Sequence, residues 1–323
     1  MVERSKKPVP IPVSPTRAEN QGFVSESDRV KLSLPTGESV EILLHGATVI
    51  SWVVDGQEKL FLSEKATLDG SKPVRGGIPL VFPVFGKPTE GPVAALPQHG
   101  FARLCKWELL GRTSETDTSI QVDFGLGPEN LTADQREQWP YIFGLIYSVN
   151  LSKNSLETKM LVRNEGFKTF DFNLLFHTYL RIPDVNNLTV EGLKGTNYKC
   201  KVTQSEAVEE AVELPINSEV DRVYANVPGT VQVKDRGQAI FKIDRTNLED
   251  VVVWNPWDGA RKMADFGPED GYKDMSKRPT ALLSRIRVLM PLGLLVCIEA
   301  GAVSKWHTLE PESIWEGSTI INL

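Results

Sequence analysis

The stretch Leu145-Ile146-Tyr147-Ser148-Val149-Asn150-Leu151, then Ser152-Lys153-Asn154, then Leu156-Glu157-Thr158-Lys159-Met160-Leu161-Val162 decides the fold class. Two runs rich in β-branched and aromatic residues flank a short polar turn, which predicts an antiparallel hairpin. The design repeats on both sides. Val30–Leu34 and Val40–Leu44 flank Pro35-Thr36-Gly37-Glu38, and Thr48–Val53 and Lys59–Leu62 flank Asp55-Gly56. Further strands are predicted at Ile120–Phe124, Phe170–Arg181, Leu188–Leu193, Val231–Val233, Ala239–Ile243 and Val251–Trp254. The one convincing helix, Thr132–Trp139, opens on a Thr132-Ala133-Asp134-Gln135 capping box and stops at Pro140. Many short strands with few and short helices predict an all-β chain, a large antiparallel β-sandwich whose concave face or rim loops form the natural ligand site.

The 323 residues, 41% apolar and 24% charged, supply ample core. Residues 1–22 are rich in Pro, Ser and Lys and predict a disordered lead-in, with residues 23–323 as a single domain. A net charge of -6 leaves no broad electrostatic footprint for nucleic acid or an anionic membrane, so any anion site must be local. Three cysteines, Cys105, Cys200 and Cys297, carry neither the count of a disulfide framework nor the spacing of a metal knuckle. The charged N-terminus is not followed by an apolar core of a secretory signal, and the apolar run Ala281–Ala300 is broken by Arg285, Arg287 and Pro291. A cytoplasmic monomer is therefore the expectation. No P-loop, dinucleotide fingerprint or metal-ligand spacing occurs, so no cofactor is expected.

The segment from Arg75-Gly76-Gly77-Ile78-Pro79 to Gln98-His99-Gly100-Phe101-Ala102-Arg103 sets two arginines, a glutamine and a histidine among glycines and prolines. Gly- and Pro-rich loops lie at the surface and commonly carry function, and paired guanidinium forks match phosphate or carboxylate oxygens. Ordinary surface arginines are the competing account. Alternation places Leu175, His177 and Tyr179 on one face; His177 is then either a hydrogen-bonded core histidine or a general acid on a rigid strand. Glu299 ends an apolar run, at the solvent edge or facing a polar site. Asp221 offers another acid, though a surface salt bridge to Arg222 or a neighbour is the first account. The Trp254-Asn255-Pro256-Trp257 cluster is expected in the core rather than as a platform for a sugar ring.

A series of motifs then falls in order along the chain. It comprises His45-Gly46-Ala47, Arg75-Gly76-Gly77-Ile78-Pro79, Phe82-Pro83-Val84-Phe85-Gly86, Gln98-His99-Gly100-Phe101-Ala102-Arg103, His177-Thr178-Tyr179, Asp221-Arg222-Val223-Tyr224, Trp254-Asn255-Pro256-Trp257, Met263-Ala264-Asp265-Phe266 and Cys297-Ile298-Glu299-Ala300-Gly301. From about Val30 to Leu323 the chain resembles the glucose-6-phosphate 1-epimerases, hexose-6-phosphate mutarotases of the aldose 1-epimerase superfamily. The resemblance implies a galactose mutarotase-like supersandwich that interconverts the α and β anomers of a hexose 6-phosphate on its concave face. It implies His177 as acid and Glu299 as base, with Arg75, Gln98, Arg103 and Asp221 binding substrate and His99 contacting a ring hydroxyl or the ring oxygen. The carboxylate next to His177 is expected to raise its pKa and to give a bell-shaped pH profile.

A non-catalytic sugar-phosphate-binding protein on the same fold needs no acid and base, and a glycosidase generally needs a carboxyl pair. The chain departs from the family between Met275 and Glu299, where about twenty extra residues (roughly 276–295) intervene, judged against usual loop lengths. A protruding loop, a lid or partner surface, and translated non-coding sequence are the three accounts, the last being slightly favoured.

Overall fold

The computed structural model describes residues 22–89, 93–268 and 294–323. The predicted lead-in, apart from Gly22, and the predicted insertion, apart from residues 294 and 295, lie outside the described residues. Among the described residues the strands form three sheets of five, nine and eight strands, their partners antiparallel throughout.

The deciding hairpin forms Phe143–Ser152 and Ser155–Asn164, with Leu151 opposite Leu156 and Phe143 opposite Asn164. Leu145, Tyr147, Val149 and Leu151 on one strand, and Leu156, Thr158, Met160 and Val162 on the other, are buried. This is the period-two burial that a half-covered sheet requires. The hairpin lies inside the nine-stranded sheet, between Ser119–Leu126 and Ile314–Asn322.

The N-terminal five strands run in sequence order from Phe23–Ser25 to Gln57–Glu58. Asp55 and Gly56 take φ of 52° and 69°, the twist that a two-residue hairpin turn favours. The predicted strand Lys59–Leu62 is displaced to Gln57–Glu58. The Glu58 carboxylate accepts from the amides of Trp52 and Leu60, and the chain then leaves to bridge Leu180. The helix is Ala133–Gln138; Thr132 and Gln135 exchange hydrogen bonds of 3.2 and 2.9 Å as the capping box predicts.

The eight-stranded sheet positions the site. Its order is Ser205–Val208, Asn197–Cys200, Val220–Tyr224, Asp250–Asn255, Leu294–Leu309, Phe170–Phe176 and Leu80–Val81, with Tyr179–Ile182 also paired to Leu294–Leu309. The single strand predicted over Phe170–Arg181 is interrupted at His177-Thr178, where the amides of His177 and Tyr179 turn to the carbonyls of Pro79 and Gly77. Register against the long strand survives the break, with Phe176 opposite Ala300 and Tyr179 opposite Cys297. The shared face of His177 and Tyr179 is therefore kept.

One face of this sheet, carrying Val251, Val253, Val296, Ile298, Ala300, Leu174 and Phe176, joins Tyr147, Val149, Met160 and Val162 in the main core. The other face carries Asp221, Val252, Trp254, Cys297, Glu299 and Leu175. It is concave: Lys201, next to Asn197–Cys200 near one edge, places its ammonium 4.2 Å from the centre of the Phe85 ring, beyond Leu80–Val81 at the other edge.

The Arg75–Arg103 segment is not the surface loop that its glycines suggested. Ile78, Leu80, Val81, Phe82, Val84, Leu96, Phe101 and Ala102 within it are buried. The glycines serve close backbone approach instead: a Cβ on Gly77 (φ 67°) would stand 2.0 Å from the Val49 carbonyl oxygen, and one on Gly100 (φ 70°) 2.1 Å from that of Phe82.

Candidate active site

His177, in the break between Phe170–Phe176 and Tyr179–Ile182, and Glu299, on Leu294–Leu309, meet on the concave face from positions far apart in sequence. The Nδ1 of His177 lies 3.3 Å from Oε1 of Glu299, without the alignment of a hydrogen bond. The side chains are 12% and 2% exposed, so Glu299 does not stand at a solvent edge. The His177 ring is held by aromatic neighbours. Tyr179 stacks on it at 4.7 Å and 8°, and His99 and Trp254 present near-perpendicular rings at 5.9 and 6.0 Å.

Arg75 is fixed by two bonds, Nε donating to Asp265 Oδ2 at 3.2 Å and Nη1 to the Tyr179 hydroxyl at 3.0 Å. Arg103, on the 3₁₀ turn Ala102–Leu104, donates from Nη2 to the Gln98 carbonyl at 2.8 Å, while its buried Nε has no partner. His99 has φ of 67°, a conformation that costs energy in a residue with a side chain. The Gly86 amide donates to its Nδ1 at 3.2 Å, which places the ring proton on Nε2; the Gln98 side-chain amide, 3.3 Å away, accepts that proton when it turns its oxygen toward the ring. The four polar residues of the Arg75–Arg103 segment thus share one neighbourhood with the histidine–glutamate pair. Asp221 belongs to the same face, opposite Trp254, which is opposite Cys297.

Asp221 does not pair with Arg222, because adjacent strand residues point to opposite faces. Arg222 bonds Glu209 at 2.8 Å on the far side, and the nearest cation to Asp221 is Lys201 at 3.8 Å. Trp254, expected in the core, is half-buried and stands against His177 and Tyr179 in the site. Tyr179, Trp254, Lys201 and Asp265 are the residues that sequence reasoning did not assign. Alternation had already put Tyr179 beside His177. No local signal announces Lys201, which strand pairing sets beside Asp221, its amide donating to the Asp221 carbonyl at 2.8 Å.

Electrostatics separate the two halves of the site. Burial works against the Arg75 charge, but the adjoining Tyr179 and Asp265 outweigh it and hold its pKa above the ordinary value. Burial, then Arg75, bring Arg103 down to about 10, so both guanidinium groups stay charged at neutral pH. Burial and the cations Arg103, Lys201 and Arg75 push His99 down to about 3, which keeps it neutral. Burial, then His99, Arg103 and Arg75, hold His177 well below its ordinary value. Burial, then Asp221, raise Glu299 well above its own, with Lys201 opposing. The expected raising of His177 by its carboxylate neighbour is not what the site shows: burial, His99 and the two guanidinium groups set its direction downward. The same dry surroundings thus press both members of the pair toward their neutral forms.

His177 Nδ1, Cys297 Sγ and a Glu299 oxygen lie within 4.8 Å of one another and are the metal-donor set among the described residues. They fit a cation poorly. Burial and Glu299 push the Cys297 thiol far above its ordinary value, and two guanidinium charges act on His177.

The aldose 1-epimerase family model matches residues 28–280, ending short of Glu299, which the fold itself brings into the site. A candidate glucose-6-phosphate 1-epimerase from Cenchrus ciliaris is 33% identical over 86% of this chain and 79% of its own length. Another from Escherichia coli K12 is 28% identical over 86% and 90%. The crystal structure of a candidate mutarotase from Salmonella typhimurium superposes with a TM-score of 0.75 at 24% identity, covering 93% of this chain and 92% of that one. Sequence and fold agree along nearly the whole length, and the chain belongs to the aldose 1-epimerase family.

Proposed function

We propose that this protein interconverts the α and β anomers of glucose 6-phosphate and related hexose 6-phosphates by acid–base ring opening and reclosure. The observation that carries the reading is the His177–Glu299 contact of 3.3 Å, facing a cup that also holds Arg75 and Arg103. In the opening step a base takes the proton of the C1 hydroxyl while an acid protonates the ring oxygen. The C1–O5 bond breaks and an open-chain aldehyde forms. Rotation about C1–C2 presents the other carbonyl face, and the two groups exchange roles as the ring closes.

One proton suffices for the pair throughout. Ionised Glu299 with protonated His177, or the reverse, are two arrangements of the same proton count, and the reaction passes through both. Loss of that proton or gain of a second stops it, which predicts a bell-shaped pH profile. The 6-phosphate, carrying roughly -1.5 to -2 charges at pH 7, answers the two guanidinium groups. Docked there, it offsets the charges that depress His177 and favours the protonated acid.

Gln98, the Nε2–H of His99 and Asp221 are the groups available to the sugar hydroxyls. Proton transfer between side chains requires no cofactor, and a cytoplasmic monomer completes the reading. No helix among the described residues is long and apolar enough to cross a membrane. The test is α/β exchange measured by NMR saturation transfer on glucose 6-phosphate and on glucose. Acceleration over buffer and phosphate, greater for the phosphorylated sugar, is expected; no acceleration of either sinks the proposal.

A further inference from the structure

We infer that Tyr179 is a positioning residue that joins substrate recognition to proton transfer: its hydroxyl aims Arg75 at the substrate's anionic group, and its ring orients His177. The inference rests on the mutarotase reading above and adds a residue to it. Two observations carry it. The Tyr179 hydroxyl accepts a 3.0 Å hydrogen bond from Arg75 Nη1, so with Asp265 on Nε the plane of the guanidinium fork is set from two sides. The same side chain lies parallel to His177 with ring centres 4.7 Å apart and 8° between planes.

A catalytic imidazole is usually oriented by a hydrogen bond to the ring nitrogen that does not react. Here Nδ1 has no aligned partner. Ring orientation therefore falls to the aromatic contacts, and Tyr179 is the one that covers the imidazole face. Trp254, perpendicular to both rings at 6.0 and 5.9 Å, buttresses the stack from the side. The period-two face that links His177 to Tyr179 makes the coupling a property of one short stretch of chain.

Y179F removes the hydroxyl and keeps the stack. Its expected effect is a KM for glucose 6-phosphate raised about three- to tenfold, the loss of one net hydrogen bond, with kcat nearly unchanged. A smaller effect is expected in exchange of unphosphorylated glucose. In an Arg75→Gln background the same substitution should add nothing, because its effect runs through Arg75. Y179L, which removes the stack as well, should lower kcat on both sugars relative to Y179F.

The inference is overturned by an unchanged KM in Y179F, by equal losses on both sugars, or by additivity with Arg75→Gln. Equal kcat in Y179F and Y179L overturns the ring's part. Thermal unfolding identifies a leucine variant that does not fold; Y179M, which fills the space without a ring, then takes its place. Wild-type protein that exchanges neither sugar refutes the mutarotase reading instead, so the two failures are told apart.

Discussion

The two halves of the site are built on opposite principles. Arg75, Gln98, His99 and Arg103 come from one contiguous segment and are held by hydrogen bonds to Asp265, Tyr179, the Gln98 carbonyl and Gly86. His177, in the break between two strands, and Glu299, on Leu294–Leu309, lie 122 positions apart in sequence (299 minus 177), are brought to one face by register, and are held by burial and ring contacts. On the proposed reading, recognition of an anion needs charges that persist: Arg75 is held charged by Tyr179 and Asp265, and Arg103 stays charged at neutral pH although burial and Arg75 bring it down to about 10. On the same reading, proton transfer needs groups whose protonation is finely balanced, and His177 and Glu299 sit in dry surroundings that press both toward neutrality.

That contrast breaks most readily at the proton-transfer half. His177→Ala and Glu299→Gln should each cost about 10²- to 10⁴-fold in exchange rate, with modest change in KM. Glu299→Gln carries a second signature. Burial raises the folded-state pKa of Glu299 above the ordinary 4.5, so its contribution to stability is present at acid pH and lost as pH rises through the folded value. The neutral amide does not ionise. At pH 8 the variant should unfold at the same or a higher temperature than the parent, by thermal melting, while being nearly inactive; a marked loss of stability at that pH would contradict the burial account.

At the recognition half the expected effects are smaller and fall on binding. Arg75→Gln and Arg103→Gln should each raise KM for glucose 6-phosphate roughly 10- to 100-fold, the range of one or two charge-assisted bonds, and leave glucose exchange little changed. Equal losses on the two sugars would merge the halves into one. The smallest effect is expected from Lys201→Met. Lys201 opposes the upward push on Glu299 and the protonation of His99. Its removal should displace the pH–rate profile to higher pH by less than about one unit; no displacement, or one to lower pH, would remove Lys201 from the electrostatics of the pair.

Strands bounded by Asp55-Gly56, Ser152-Lys153-Asn154 and the capping box at Thr132 were legible because turn and cap chemistry are local. The face shared by His177 and Tyr179 was legible because alternation survives the interruption between them. The interior course of Arg75–Arg103 was not. Gly and Pro report backbone conformation, and the same glycines serve an exposed turn or a close approach such as Gly77 against Val49. Trp254 was assigned to the core because composition cannot tell which face of Asp250–Asn255 meets the other sheet. The direction of the His177 shift escaped the sequence because it depends on the ring's own burial and the approach of His99, Arg103 and Arg75, all products of long-range folding.

The central claim is that His177 and Glu299 work as a pair sharing one proton. Its most direct test is the α/β exchange rate of glucose 6-phosphate across pH, by NMR, for the parent protein and for Glu299→Gln. The account predicts a bell-shaped profile for the parent and a rate at or near the uncatalysed level for the variant at every pH. A flat parent profile, or a variant that keeps the parent's rate, would contradict it.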